Sequence, residues 1–141
     1  MSKNNEDQYT ISKIYSTWSE DIIREKRPDI LACGISVGFI SCEKEKMKGK
    51  TKAVLGECRK VQPIEKLFCP FDLLIIIYEP NCEGLDRDQM ETLLWHELNH
   101  IGMDEDGEPY IVPHDVEEFD DIIKAKGLHW QDNVPRGTIE S

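Results

Sequence analysis

The spacing of apolar residues predicts two amphipathic helices, one near the N-terminus and one from Leu85 to Ile101. In each segment the apolar positions recur at intervals of three and four, which is the period of a single helix face. Pro28 should end the first helix, because proline lacks the N–H that a helix interior needs. Asp86 can cap the second helix, with Gln89 three residues later as in a capping box. The two stripes are Ile11, Ile14, Tyr15, Trp18 and Ile22 in the first helix, and Met90, Leu93, Leu94, Leu98 and Ile101 in the second.

Three segments have the patterns of β-strands. From Leu31 to Phe39 the larger apolar side chains occupy every second position, which indicates a strand with one buried face. Lys52 to Val61 is more polar, and we expect it to pair with the first strand as a hairpin. Phe71 to Tyr78 is a continuous apolar run rich in isoleucine, which is typical of a central strand covered on both faces.

The remaining segments complete a single domain of the α+β class. Gly102 should stop the second helix, and the acidic segment from Met103 to Pro113 predicts a loop. The predicted order is a helix, three strands and two helices, with a core from about residue 9 to 127, a tail from 128 to 141 and no linker that would divide residues 1–141. The last helix ends near Gly127 and is marked by Val116, Phe119, Ile122 and Ile123.

Composition narrows the class of protein and its partners. The 141 residues carry 28 acidic and 17 basic side chains, a net charge of −11, so a nucleic-acid partner is not expected because phosphates repel such a surface. The longest apolar run, Leu73 to Tyr78, is far below the roughly 20 residues of a membrane helix, and the first residues lack a signal segment. We therefore expect a cytoplasmic protein without a membrane partner, whose five cysteines are reduced thiols that mostly pack. No pattern indicates its oligomeric state.

Residues 96–100 carry the strongest chemical signal in the chain. Their sequence is His96-Glu97-Leu98-Asn99-His100, an H-E-x-x-H motif within the second predicted helix. Residues four apart on a helix are offset by about 40°, so both imidazoles should point the same way and bind one zinc ion. Glu97 lies about 100° around the helix from His96, where it can accept a proton from a water that the metal activates. The motif predicts a catalytic zinc site.

A catalytic zinc site usually has three protein ligands and one open position. His114 is the preferred candidate for the third ligand, because it opens the last predicted helix and imidazole is a softer ligand than carboxylate. Asp115, Glu117 and Glu118 are near enough in sequence to orient that imidazole by a hydrogen bond. The other candidate ligands are Asp104, Asp106, Glu117 and Glu118.

Four segments together resemble the phage metallopeptidase family. The resemblance runs from about Leu31 to Gly127, and the combination of the H-E-x-x-H motif with a downstream H-D-x-E-E-F is its most specific part. The matching segments are H-E-L-N-H-I-G from His96, P-H-D-V-E-E-F from Pro113, G-E-C-R-K-V from Gly56 and L-D-R-D-Q from Leu85.

The resemblance implies a minimal zincin-like domain encoded by a phage or prophage, similar in architecture to SprT-like metallopeptidases. Such a domain would contain an N-terminal helix, a three-stranded sheet, the H-E-x-x-H helix and a C-terminal helix. It implies one zinc ion held by His96, His100 and His114, with Glu97 as general base. The substrate would be a protein or peptide in the host-cell cytoplasm, and the polar strand from Lys52 to Val61 would pair with it.

Two other functions remain compatible with the sequence. One is a zinc-stabilised binding protein that blocks a host component without cleaving it. The other is a SprT-like processing of proteins attached to DNA, for which the basic segment from Lys44 to Lys60 would have to contact DNA. The intact Glu97 favours the peptidase, because a purely structural zinc site has no evident use for a carboxylate at that position.

Overall fold

A computed structural model describes the backbone of residues 8–113 and 138–140 and the side chains of residues 8–113. Its elements form an α+β architecture, as the sequence predicts. Two short 3₁₀ turns, Glu65–Leu67 and Glu79–Cys82, precede and follow the longest apolar strand. The helices are α1 (Lys13–Lys26), α2 (Pro28–Ala32) and α3 (Arg87–Leu98); the strands are β1 (Tyr9–Ile11), β2 (Val37–Cys42), β3 (Met47–Lys48), β4 (Lys52–Val54), β5 (Gly56–Lys60), β6 (Leu73–Tyr78), β7 (Ile101–Met103), β8 (Pro109–Ile111) and β9 (Thr138–Glu140).

The main sheet has four strands in the order β1-β2-β6-β5. Strands β2 and β6 are parallel, with Val37 opposite Leu73, whereas the outer strands β1 and β5 are each antiparallel to their neighbour. In the part of the chain that the structure describes, a second sheet has the order β3-β4-β9, and β7 and β8 form a two-stranded sheet. Within residues 8–113 and 138–140, β5 is therefore an edge strand of the main sheet.

Strand β6 is central, which confirms the prediction made from its continuous apolar run. Its alternate residues face opposite sides of the sheet. Ile75 and Ile77 enter a large core, while Ile76 and Tyr78 enter a smaller cluster with Cys42 and Val54. The large core lies between the sheet and the helices and is formed by Tyr15, Ile30, Ile35, Phe39, Leu55, Leu73, Ile75, Ile77, Cys82, Met90, Leu93, Leu94, Leu98 and Ile101.

The predicted hairpin between the first two strands is wrong. Strand β6 lies between β2 and β5, so the two strands never pair with each other. A parallel β2–β6 pair needs a long crossover connection, and β3, β4 and β5 all lie within that connection. Since β6 is the most apolar strand, it takes the position between two neighbours where both faces are buried.

The N-terminal segment also differs from the prediction. Ile11 belongs to β1, and Ser12 caps α1 by accepting the N–H of Tyr15 at 3.1 Å. Ile11 and Ile14 are 64% and 62% exposed, so they do not belong to the buried stripe. The sheet consequently gains a strand beyond the three predicted. Helix α1 does end before Pro28, as expected.

The first predicted strand begins later than expected. Leu31 lies in the short helix α2, and β2 begins only at Val37. Gly34 separates the two elements with a φ of 68°, a left-handed conformation that glycine adopts without steric cost. The alternation of apolar residues from Leu31 therefore spans a helix end, a turn and a strand.

Helix α3 begins as predicted and ends earlier. Asp86 and Gln89 form both hydrogen bonds of the capping box. The helix ends at Leu98, and the segment predicted as a loop forms the β7–β8 hairpin. The predicted C-terminal helix, which His114 opens and which ends near Gly127, lies outside the described residues. In the described part of the chain, no helix is long and apolar enough to cross a membrane.

Candidate metal centre

Helix α3 brings the first half of the H-E-x-x-H motif into the interior. Leu93, Leu94 and Leu98 pack into the large core, and this anchors the helix face that continues into His96 and Glu97. His96 is 5% exposed, Glu97 0% and His100 6%. A carboxylate is rarely buried completely, because its desolvation costs several kcal/mol or more unless a favourable partner compensates. A buried carboxylate between two imidazoles is therefore a strong indication of a functional site.

The three side chains converge on one point. A ligand atom from each of His96, Glu97 and His100 lies within 4.8 Å of the other two. The two imidazole rings stand almost perpendicular, with centroids 5.3 Å apart and an interplanar angle of 85°. Two nitrogen donors and one carboxylate oxygen at this separation suit a divalent transition-metal ion.

His100 lies beyond the end of α3 rather than inside it. Asn99 still donates its N–H to Trp95 O at 3.0 Å, which is helical spacing, whereas His100 donates its N–H to Glu97 O at 3.0 Å. The second bond spans three residues, the spacing of a 3₁₀ turn. The predicted offset of about 40° between the two imidazoles assumed a regular helix through His100. Because His100 lies in a 3₁₀ turn after α3, that angle does not describe the observed arrangement.

Val112 determines which nitrogen of His100 is available to a metal. The Nδ1 atom of His100 lies 2.8 Å from the backbone O of Val112, and the N–H of Val112 donates to His100 O at 2.6 Å. A carbonyl oxygen can only accept, so Nδ1 carries the proton and donates it. The lone pair is then on Nε2, the atom left for metal binding.

Gly56 lies at the point where strand β5 passes Glu97. A Cβ atom at position 56 would lie 3.0 Å from Ile76 O and 3.5 Å from Cγ of Glu97. The first distance is tight against the backbone of β6, so a side chain at position 56 would strain the pairing of β5 with β6, whereas the second is an ordinary van der Waals contact with Glu97. The resemblance included Gly56 without giving it a role, because a close approach between distant segments is not visible in a sequence.

Two cysteines lie near Glu97. Burial raises the pKa of the Cys58 thiol well above its ordinary range, and the charge of Glu97 raises it further. Burial likewise raises the pKa of Cys82 to about 12, with the charges of Glu79 and Glu97 as further causes. In residues 8–113, the group of side chains that could share a metal includes neither of these thiols. All five cysteines are free thiols, in agreement with the sequence prediction.

The other predicted ligands do not join this cluster where they are described. Asp104 accepts the N–H groups of Asp106 and Glu108 and so holds the turn between β7 and β8. In residues 8–113, the group of side chains that can share a metal is His96, Glu97 and His100. The preferred third ligand, His114, lies outside the described residues, as do Asp115, Glu117 and Glu118.

Comparison with family models gives one match of almost the whole length. The model described as "Putative phage metallopeptidase" matches residues 7–136, which include every element from β1 to β8. Comparison with curated proteins and with solved structures gives no significant match.

Proposed function

We propose that this chain, which belongs to the phage metallopeptidase family, is a zinc-dependent peptidase that acts on proteins or peptides. The observation that carries the proposal is the convergence of His96, Glu97 and His100 within 4.8 Å in a buried position. Membership of the family indicates only the general class, a metallopeptidase. The three converging side chains indicate in addition which residues would hold the metal and which residue would accept a proton.

The donors fit zinc better than a hard cation such as magnesium. Imidazole nitrogen is a preferred zinc ligand, whereas magnesium takes mostly oxygen. His100 presents Nε2 because Val112 holds its Nδ1–H. Zinc, when bound, lowers the pKa of a coordinated water to about 7 and polarises a carbonyl group.

Glu97 is the proposed general base. Its carboxylate lies beside both imidazole ligand atoms, at a distance suited to contact with a water between them. A buried carboxylate is held in one geometry by packing, and it can accept the proton of that water as a peptide carbonyl is attacked. It can then deliver the proton to the leaving amine.

His114 is the proposed third ligand, and the position of Val112 supports it. Val112 is bound to His100 through both its N–H and its carbonyl oxygen. Val112 is only two residues before His114 in the sequence. The chain therefore has to pass beside the metal centre just before this histidine.

Strand β5 is the proposed binding site for an extended peptide. The carbonyl of Leu55, just before β5, accepts the N–H of Tyr78, and the N–H of Val61, just after β5, donates to Asp72 O. In the observed register, residues 57 and 59 therefore form the hydrogen bonds between β5 and β6. The backbone groups of Gly56, Cys58 and Lys60 must then point away from β6, because bonding alternates along an antiparallel strand. A peptide could pair with this edge beside Glu97, which Gly56 approaches.

The position of β5 supports the proposal that the chain is a minimal zincin-like domain. In that architecture the edge strand beside the active-site helix pairs with the substrate. Here β5 is antiparallel to β6, lies at the sheet edge within the described residues and passes Glu97 at Gly56.

The five free thiols are typical of a reducing compartment, which supports action in the cytoplasm of the host cell.

A chelation experiment tests the proposed function. We expect the zinc-loaded protein to cleave unfolded protein substrates, with new peptide ends detected by mass spectrometry. Treatment with 1,10-phenanthroline should stop the formation of these ends, and added zinc should restore it, because the metal supplies the activated water. Cleavage that persists after complete removal of zinc would contradict the proposal.

A proline at position 58 tests the substrate strand. Cys58→Pro removes an N–H that points away from β6, so the main sheet should keep its hydrogen bonds. We expect a raised KM and about a tenfold lower kcat/KM, the cost of roughly one hydrogen bond to substrate, with unchanged zinc affinity. Cys58→Ala is the matched control, because it removes the thiol and keeps the N–H. Equal kcat/KM values for the two variants would exclude β5 from substrate binding.

A further inference from the structure

The geometry of the metal centre depends on a turn that α3 does not itself fix. His96 lies inside the helix, whereas His100 follows its last residue, Leu98. The last carbonyl groups of a helix have no partners within that helix. The distance between the two imidazoles therefore depends on what holds residues 98–101 in place.

Arg27 binds this turn from a position 71 residues earlier in the chain than Leu98. Its Nη1 donates to Leu98 O at 2.6 Å and its Nη2 to Ile101 O at 2.7 Å. Nη1 also donates to Asn99 Oδ1 at 3.4 Å. The guanidinium thus joins the end of α3 to the start of β7, with His100 between the two carbonyl groups that it holds.

The guanidinium is itself fixed on its other side. Nε and Nη2 of Arg27 donate to the two carboxylate oxygens of Asp29, each at 3.0 Å. With the three bonds to the turn, these two bonds use all five N–H donors of an arginine. The hydrogen bond from Arg27 is the main cause that lowers the pKa of Asp29, so this carboxylate stays charged. The Arg27 side chain is only 14% exposed.

The backbone of Arg27 is constrained as well. Its N–H donates to Ile23 O at 2.9 Å at the end of α1, and the next residue, Pro28, begins α2. The arginine therefore projects from a fixed junction between two helices. A rigid junction, a bidentate carboxylate and a planar fork together make a defined support for the turn.

We propose that Arg27 is a positioning residue of the metal centre, which clamps the carbonyl groups of Leu98 and Ile101 and so fixes the imidazole of His100 relative to His96. The inference rests on the proposed function, because it assumes that these imidazoles bind a metal. Arg27 acts through the backbone on both sides of His100, because it holds the carbonyl groups of Leu98 and Ile101. Lysine cannot replace it, since a single ammonium group lacks the planar fork that spans the turn and Asp29.

Zinc affinity is the first measurement. We expect Arg27→Gln to weaken zinc binding about tenfold or more, the usual effect of losing a group that orients a ligand, in competition with a chromophoric chelator. The visible spectrum of the cobalt-substituted protein should change as well, because it reports the ligand geometry. Arg24→Gln is the matched control, since Arg24 lies in the last turn of α1, three residues before Arg27, and pairs with the exposed Asp21. Equal zinc affinity of the two variants would overturn the inference.

Arg27→Lys separates the effect of the positive charge from the effect of the planar guanidinium group. It keeps a cation at the C-terminal end of α3 and should still show weakened zinc binding, because the two carbonyl groups are no longer bridged. Full recovery of affinity in Arg27→Lys would overturn the proposed clamp. Where Arg27→Gln does not fold, as judged by near-ultraviolet circular dichroism, Asp29→Ala replaces it. That variant should weaken zinc binding in the same direction, and unchanged affinity would overturn the inference.

A measurement on the metal-free proteins separates this inference from the proposed function. Nitrogen-15 signals of the His100 imidazole should show a single Nδ1–H tautomer in the wild type and a mixture in Arg27→Gln. The Val112 amide should also exchange its hydrogen faster in the variant. A wild type that binds no zinc would contradict the proposed function, whereas an unchanged tautomer and amide exchange would contradict the role of Arg27 by itself.

Discussion

Replacement of Glu97 by glutamine should remove peptide hydrolysis and leave zinc binding intact. Glutamine keeps the shape of the buried side chain and both imidazoles remain, but an amide cannot accept the proton of the attacking water. We expect kcat to fall by about 10² to 10⁴, the usual contribution of a general base. Zinc content and affinity, measured on the same preparation, should match those of the wild type.

Glu91→Gln is the matched control for this substitution. Glu91 lies on the same helix α3 and makes a surface ion pair with Arg87 at 3.6 Å, so its removal should leave hydrolysis unchanged. Hydrolysis at the wild-type rate in Glu97→Gln would rule out Glu97 as the base. Loss of zinc from that variant would instead make Glu97 a metal ligand, and the fourth position would no longer be free for a water molecule.

The second large effect is expected for His100→Ala. Zinc sites with four ligands bind with about 10 to 16 kcal/mol, so the loss of one ligand corresponds to about 3 kcal/mol, or more than a hundredfold in affinity. Hydrolysis should be lost at zinc concentrations that saturate the wild type. Competition with a chelator measures the affinity, and the rate at added zinc shows whether excess metal restores activity.

His129→Ala is the control for the loss of an imidazole. His129 has no role in the proposed site, so this variant should bind zinc as tightly as the wild type. His114→Ala should behave like His100→Ala if His114 is the third ligand. Wild-type affinity in His100→Ala would remove His100 from the metal centre and contradict the arrangement of the site.

Local patterns predicted the parts of the molecule that local interactions determine. The capping box of Asp86 and Gln89, the buried stripe of α3 and the central position of β6 all depend on residues close in sequence. The H-E-x-x-H motif likewise predicted that His96, Glu97 and His100 would meet, since all three lie within five residues. For the capping box, the buried stripe and β6, the periodicity of a single element contains the required information, whereas the approach of His100 to His96 also depends on the turn after α3.

The sequence patterns do not predict the parts of the fold in which segments distant in the chain interact. No pattern in β2 or β5 shows that β6 lies between them, because strand pairing is decided by the packing of the whole sheet. The segment from Met103 to Pro113 was expected to be a loop, yet Ile101 pairs with Ile111 in a hairpin. Its acidic residues occupy the turn between those strands rather than the strands themselves.

Three contacts of the candidate site were equally invisible in the sequence. Arg27 supports the turn that carries His100, Val112 holds the His100 imidazole, and Gly56 lies where β5 passes Glu97. Arg27 and Gly56 lie far along the chain from the motif, and none of the three belongs to it. The residues that perform the chemistry are therefore easier to predict than the residues that hold them in position.

A crystal structure of the zinc-loaded protein tests the proposed metal centre most directly. We expect one zinc ion bound by His96, by Nε2 of His100 and by His114, with a water in the fourth position that contacts Glu97. A zinc ion enclosed by four protein ligands, or bound away from His96 and His100, would contradict it.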